Sequence, residues 1–407
     1  MKKTITVLLA VFIMLILSFT FQVDNCPAQW VQMSNGISSE LVRPLVSSGN
    51  NIFAGTDNSG VYLSSNNGLS WTQTSLNNQS IQSFAVNGNN IFAGTLNNGV
   101  YLSTNNGTTW NQTTLNNQTV RSLTVNGNNI FAGATNPATG VYLSTNNGAT
   151  WAQTSLNSLN VYSLAVNGNN IFAGTAGSGV FLSVDNGTTW TQTSIGSLNV
   201  FSLAVNGNNI FAGTVYNGVY LSTNNGTIWT QTSLNNRDVY SLAINGDNIF
   251  AGTYSGFGVY VSNNNGNSWT QRNEGLINAN VRGLSILNNY IFAGAVSNGV
   301  YRRPLNELIT GIPAISNEVP NKFSLSQNYP NPFNPTTKIS FDIPKQGFVS
   351  LKVFDVLGRE METLVNQQMN AGTYSMDFNG SKIVSGVYFY RLQSSEFTDV
   401  KKLVLIK

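Results

Sequence analysis

The chain has no histidine and one cysteine, Cys26. Without histidine there is no imidazole base, no imidazole metal ligand and no Ser-His-Asp catalysis. The cysteine falls in a segment that reads as an export signal, residues 1–28. Lys2 and Lys3 precede an apolar run from Val7 to Phe21, and Cys26-Pro27-Ala28 forms a small-residue cleavage site. A run of about fifteen apolar residues is short for a membrane span. Val23-Asp24-Asn25 is a poor approach to a lipid-anchored Cys26. Cleavage after Ala28 leaves a cysteine-free protein, which excludes disulfides, thiolate chemistry and cysteine metal sites. No metal and no cofactor are expected.

Charge is scarce as well. Only 9% of the 407 residues are charged, the net charge is +3, and residues 29–304 contain no lysine. A phosphate-tracking surface is excluded on those terms, so nucleic acid is not an expected partner. Scarce charge does not mean disorder here. Hydrophobic residues make up 41% and aromatics 11%, the content of a packed protein, while Asn, Ser, Thr and Gln supply the polar surface.

What the chain has in abundance is repetition. NIFAG or a near copy recurs seven times, its Ile at 52, 91, 130, 171, 210, 249 and 291, so the spacing is 39 to 42 residues. Each unit reads as four short strands. VYSLAVNG (161–168) alternates with period two, and NIFAGT (170–175) follows an Asn-Gly turn. GVFLS (179–183), an Asx-Gly turn and WTQTS (190–194) complete it. Four antiparallel strands every forty residues or so describe a β-propeller blade. Trp30-Val31-Gln32 is a lone copy of the WTQTS strand, and the last unit ends at GVYRR (299–303) without one. The N-terminal strand is therefore expected to complete blade seven and close the ring, removing free sheet edges. A β-solenoid is the alternative, disfavoured by the spare strand at one end and the missing one at the other.

The turn phrase itself is SSNNGLSW (64–71), STNNGTTW (103–110), STNNGATW (144–151), SVDNGTTW (183–190), STNNGTIW (222–229) and SNNNGNSW (262–269). This repeated box resembles that of the BNR/Asp-box propellers, which include sialidases. In that family the box is a hairpin turn on the outer part of the blade, away from the active site. Five copies carry Asn (66, 105, 146, 224, 264) where the family has Asp, and only Asp185 matches. A carbonyl oxygen serves a turn as a carboxylate does, whereas a repeated catalytic or calcium site would not survive the exchange. The box reads as structure.

Function is expected on the opposite face. In a four-stranded blade the NGN turns and boxes share one face, and the remaining connections share the other. The first is nearly constant; the second varies, as in TLNNG (95–99), ATNPATG (134–140), TVYNG (214–218) and TYSGFG (253–258). The second residue of each innermost strand reads, around the ring, Arg43, Gln82, Arg121, Tyr162, Phe201, Tyr240 and Arg282. A basic arc thus faces an aromatic arc. That pairing suits an acidic sugar or an anionic peptide, with guanidinium groups on carboxylates and rings on apolar faces. The alternative is that these side chains pack between blades.

The sialidase resemblance also implies an enzyme, but the family's arginine triad, Tyr-Glu pair and acid/base cannot be placed residue by residue, and no Arg-Ile-Pro segment precedes the first box. Of six acidic residues in 29–304, Asp185 and Asp247 fall on the constant face. Glu40, Asp57, Asp238 and Glu274 remain for a glycoside hydrolase, the alternative to a non-catalytic binding module. Docking of another protein is a third use of the same face.

After Arg303 lysine returns and the repeat stops. Residues 305–320 read as a linker, and 321–407 contain strand candidates such as 338–344, 348–355, 372–379, 386–393 and 400–407. Their alternation suggests a small immunoglobulin-like sandwich. FSLSQNYPNPFNPTTKISFDIP, LKVFDVLGRE, AGTYSMDFNG, SGVYFYRL and the terminal KKLVLIK resemble the type A C-terminal sorting domain of the type IX secretion system. The resemblance implies passage through the periplasm and an outer-membrane translocon to the bacterial surface or the extracellular space. The expected whole is an all-β, monomeric protein: a seven-bladed propeller at 29–304 followed by an Ig-like sandwich. Its expected partners are the sorting machinery, through 321–407, and a glycan or extracellular protein, through the propeller.

Overall fold

The computed structural model describes residues 29–37, 41–136, 139–276, 280–296, 299–309, 314–316, 320–345, 347–369 and 371–407. The export signal expected at 1–28 lies outside them, as does Glu40. Among the described residues no helix is long and apolar enough to cross a membrane.

Seven four-stranded antiparallel sheets account for the repeat. Sheet 4 shows the plan: inner strand Val161–Asn167, second strand Asn170–Thr175, third strand Val180–Ser183 and outer strand Thr191–Gln192. The inner strands of sheets 1, 2 and 3 are Val42–Ser48, Ile81–Asn87 and Thr119–Asn126. Those of sheets 5, 6 and 7 are Val200–Asn206, Val239–Asn245 and Val281–Leu287. The second strands are buried almost throughout, because both of their faces meet a neighbouring sheet. Their phenylalanines (53, 92, 131, 172, 211, 250 and 292) are all at 0% exposure. Each contributes about 1.5–3 kcal/mol of burial, which offsets the entropy of ordering so many short strands.

The box glycines make that packing possible. Gly107 of sheet 2 has φ +82°, and its α-carbon faces the ring of Phe53 in sheet 1, where a Cβ would collide. A side chain at that position would be strained twice, by backbone conformation and by lost space.

Sheet 7 is assembled from both ends of the repeat region. Tyr290–Ala295 and Gly299–Pro304 follow its inner strand, and the fourth place is taken by Val31–Gln32. Val31 stands opposite Arg302 and Gln32 opposite Tyr301, the pairing expected from the lone WTQTS-like copy. Trp30 is buried and donates its indole N–H to the Arg272 carbonyl at 2.7 Å. Sheet 7 packs in turn on sheet 1: Leu287, Phe292 and Val300 share a core with Val42, Leu45 and Ile52.

Two elements occupy the stretch read as a linker. Helix α1 (Leu305–Ile309) buries Leu305 and Leu308 in one cluster with Trp30 and Phe250. Strand Ala314–Ser316 pairs with Gly372–Asn379. A five-residue helix and a three-residue strand are too short to show a period, so sequence patterning passes over them.

The C-terminal region forms two more four-stranded sheets. One orders Ala314–Ser316, Gly372–Asn379, Thr336–Ile343 and Ser324–Leu325; the other orders Glu360–Met369, Gly347–Phe354, Gly386–Ser394 and Thr398–Leu405. Ile339, Phe341 and Phe378 of the first meet Leu351, Val353, Tyr390 and Leu403 of the second in one apolar core. Tyr390 donates its hydroxyl to the Ser326 carbonyl at 2.7 Å and accepts from the Asn328 N–H at 2.8 Å. Burial pushes its phenol up to about 12.

Candidate functional site

The constant face is a set of tied turns. In the box of sheet 2, Ser103 Oγ accepts from the Gly107 N–H at 2.8 Å and donates to Asn105 Oδ1 at 3.0 Å. Asn105 Oδ1 also accepts from the Thr109 N–H at 2.9 Å. Asp185 accepts the same bonds in sheet 4, from the Thr189 N–H at 2.9 Å and from the Ser183 hydroxyl at 2.8 Å. Donation from the Thr189 backbone, then from the Thr189 and Ser183 hydroxyls, holds its carboxyl down at about 2. Asn and Asp are thus interchangeable acceptors in this turn.

A second asparagine position links the sheets. Asn87 Nδ2 donates to the Gly127 carbonyl at 2.9 Å and to Asn147 Oδ1 at 3.1 Å, both in the next sheet. Asn126, Asn167 and Asn206 repeat this toward Gly168, Gly207 and Gly246 at 2.8–2.9 Å. Asn288 of sheet 7 reaches Asn67 of sheet 1 at 2.9 Å. Turn and box therefore lie on one face, as the strand alternation requires.

On the other face the ladder is interrupted once in every inner strand. Pairing skips from Ile81 to Ser83, Val120 to Ser122, Val161 to Ser163, Val200 to Ser202, Val239 to Ser241 and Val281 to Gly283; in sheet 1 it skips from Val42 to Leu45. The skipped residues are the seven sequence candidates, with Pro44 beside Arg43. A bulge frees its extra residue from the ladder and re-aims the side chain. All seven are half-buried.

The side chains meet from sheet to sheet. Tyr162 stacks on Phe201 with ring centroids 4.3 Å apart, and Phe201 meets Tyr240 edge-on at 5.0 Å. The Arg282 guanidinium lies 4.5 Å from the Tyr240 ring centre and 4.9 Å from that of Tyr254. Arg121 Nη1 donates to Gln82 Oε1 at 2.5 Å. Arg43 holds Asp57 through Nε at 2.5 Å and Nη2 at 2.8 Å. Burial, then the charges of Arg43 and Arg282, push the Arg121 guanidinium below its ordinary value, so these groups feel one another. The Nε atoms of Arg121 and Arg282 are buried and unpaired. Beside Arg43, Gln82 and Arg121 lies a cavity of about 140 Å³, lined also by Asp57, Asn58 and Ser80.

Sequence reasoning missed Tyr254 and Tyr216. Both sit in variable loops: the Tyr254 loop is one residue longer than TVYNG and breaks the alignment, and the position of Tyr216 holds unrelated residues in the other copies. Tyr216 is 76% exposed at φ +67°, a left-handed conformation rare for a bulky residue, and its N–H donates to Asp238 Oδ1 at 2.6 Å.

Of the four carboxylates considered for hydrolysis, Glu40 lies outside the described residues, and the other three are each engaged by a separate partner. Asp57 belongs to Arg43 and Asp238 to the Tyr216 backbone. Glu274 pairs with Arg303 at 2.6 Å; burial raises its carboxyl, but the bond and charge of Arg303 outweigh that and hold it below the usual range. Among the described residues no group of Asp, Glu or Cys is placed to hold a metal.

Repeated four-stranded sheets define an all-β protein of the propeller class. Residues 17–119 and 111–238 match the DUF6242 beta propeller domain, together more than half of the chain, and the chain belongs to that family. Residues 327–407 match the Secretion system C-terminal sorting domain. The protein is exported by the type IX secretion system to the cell surface or the extracellular space, and its sorting tail engages that machinery. No curated protein matches the chain.

Among solved structures, the chain is similar to PorZ, a surface component of the type-IX secretion system of Porphyromonas gingivalis. Identity is 16% and the TM-score 0.55, over 92% of this chain and 60% of that one, so this chain spans three fifths of PorZ. YCF48 from Cyanidioschyzon merolae is 15% identical with a TM-score of 0.55, over 69% of this chain and 99% of that one. A GH74 enzyme from Niastella koreensis is 16% identical with a TM-score of 0.54, over 77% and 59%. At these identities the likeness is one of fold.

Proposed function

We propose that this is a non-catalytic surface propeller that binds a glycan or an extracellular protein through its variable face. The domains are a signal peptide at 1–28, a closed seven-bladed propeller of BNR/Asp-box type at 29–304, a connecting segment at 305–320 that carries α1, and an Ig-like sorting sandwich at 321–407. The monomer is the working unit. Arg43, Gln82, Arg121, Tyr162, Phe201, Tyr240 and Arg282 carry the binding.

One observation carries this reading: the seven bulged residues divide into a cationic half and a stacked aromatic half. Three guanidinium groups stand against two described carboxylates, Asp57 paired with Arg43 and Asp238 beside Tyr240, so positive charge is left over for an anionic ligand. The ring faces from Tyr162 to Tyr254 suit the apolar side of a sugar or an aromatic side chain. The ion pairs that occupy Asp57 and Glu274 favour binding over hydrolysis, since neither carboxylate stands free as acid or nucleophile.

A glycan array combined with a hydrolysis assay on the same sugars tests the reading. Binding without turnover is expected, and Arg43→Ala/Arg121→Ala/Arg282→Ala should abolish binding while the circular dichroism of the fold is kept. Unchanged binding by that folded triple variant rejects the site. Turnover lost on changing Asp57 and Asp238 to amides would make the protein a glycosidase.

A further inference from the structure

Asparagine followed by glycine is the dipeptide most prone to lose its side-chain amide. The glycine nitrogen attacks the asparagine Cγ, a C–N bond forms and ammonia leaves. Water then opens the five-membered succinimide to aspartate or isoaspartate. Two freedoms are needed: a side chain able to swing toward the following nitrogen, and a nitrogen whose N–H is not already engaged.

The repeat is crowded with such pairs, and the fold restrains nearly all of them. In the six boxes the glycine N–H is engaged by the box serine, from Gly68 to Ser64 at 2.9 Å through Gly266 to Ser262 at 2.8 Å. In the loop pairs Asn98-Gly99 and Asn217-Gly218 it donates to the Gln118 and Arg237 carbonyls at 2.8 and 2.9 Å. Gly380, after Asn379, donates to the Pro335 carbonyl at 2.8 Å. In the turns of sheets 2 to 5 the side chain is held instead, because Asn87, Asn126, Asn167 and Asn206 are clamped to the following sheet.

Two described pairs have neither restraint. Asn245-Gly246 occupies the clamp position of sheet 6, but sheet 7 has no box to receive the amide, and both residues are exposed. Asn35-Gly36 follows the strand Val31–Gln32 and is exposed as well. Its backbone is held, since the Asn35 carbonyl accepts from the Trp71 N–H at 2.9 Å, but no bond engages its side chain or the Gly36 N–H. Both pairs flank sheet 7, where the ends of the repeat region meet. We propose that, among the described residues, Asn35 and Asn245 are the deamidation sites of the folded protein, so that this irreversible chemistry falls at the seam. Each event adds one negative charge, at Asn245 two residues from Asp247.

The test is peptide mapping by mass spectrometry of the full chain after incubation at mildly alkaline pH, reading the one-dalton gain and the isoaspartate content at each site. Asn35 and Asn245 should convert at least about fivefold faster than the clamped Asn87, Asn126, Asn167 and Asn206, the factor one hydrogen bond supplies. In urea the same pairs should converge on similar rates. Equal rates in the folded chain, or boxes that convert first, would overturn the proposal. Ser103→Ala probes the box restraint separately: it frees the Gly107 N–H, and Asn106 should accelerate in the folded variant. An unchanged Asn106 rate would overturn the role given to the serine.

Discussion

The Leu305 N–H donates to the Asn289 carbonyl at 2.8 Å, the bond that Asn106 of a box makes to Asn89 at 3.3 Å. Helix α1 thus stands where the box of sheet 7 is missing, and Leu305 and Leu308 cover Phe250 and Trp30. Leu308→Ala should lower the unfolding free energy of the repeat region by about 2–5 kcal/mol, read from denaturant midpoints. A loss within about 0.5 kcal/mol would make the helix an appendage rather than part of the sheet stack.

Asp185 tests the equivalence of Asn and Asp in the box. Its folded pKa of about 2 lies below the ordinary carboxylate value, so its stabilisation is present above that ordinary value and is lost as pH falls toward 2. Asp185→Asn should therefore be as stable as the parent in mild acid and relatively more stable near the bottom of that window. Parallel melting curves at the two pH values decide it. A loss at neutral pH would show that the carboxylate does something the amide cannot.

The clamp asparagines should differ by position. Asn167→Ala removes bonds to Gly207 and Asn225 and is expected to cost about 1 kcal/mol. Asn245→Ala removes none and should stay within about 0.5 kcal/mol of the parent. Chemical denaturation of the two variants side by side measures the contrast.

Asp57 separates binding from hydrolysis. Asp57→Asn leaves Arg43 uncompensated and should strengthen capture of an anionic ligand about three- to tenfold at low salt, an effect that fades as salt is added. A hydrolase relying on this carboxylate would lose turnover instead. Titration calorimetry and a hydrolysis assay on one preparation distinguish the two.

In the C-terminal sandwich, Tyr390→Phe removes the hydroxyl that accepts from the Asn328 N–H and leaves that group buried. It should cost about 1–3 kcal/mol, and thermal melts of the variant should reveal the loss.

The repeat made much of this legible. Because seven copies align, the unpaired WTQTS-like strand near Trp30 and the missing one after Arg303 predicted that the N-terminal strand completes sheet 7, where Val31 stands opposite Arg302. The column from Arg43 to Arg282 was visible for the same reason. That its members are bulge residues was not, because a skipped ladder position leaves no mark on the alternation of VYSLAV. Tyr254 escaped notice since TYSGFG differs in length from its counterparts and breaks the alignment. Glu360–Met369 also escaped, its mixed pattern EMETLVNQQM fitting no single period and its pairing shifting register twice.

The clamps that join one sheet to the next are amide to carbonyl, without a formal charge at either end. Ion pairs in the same places would loosen in brine and change with every shift in acidity. A stack held by neutral amides and buried phenylalanine rings should keep one stability from fresh water to seawater. For a protein exported to the cell surface or the extracellular space, where no cytoplasm buffers the medium, that indifference is the practical return on so much asparagine.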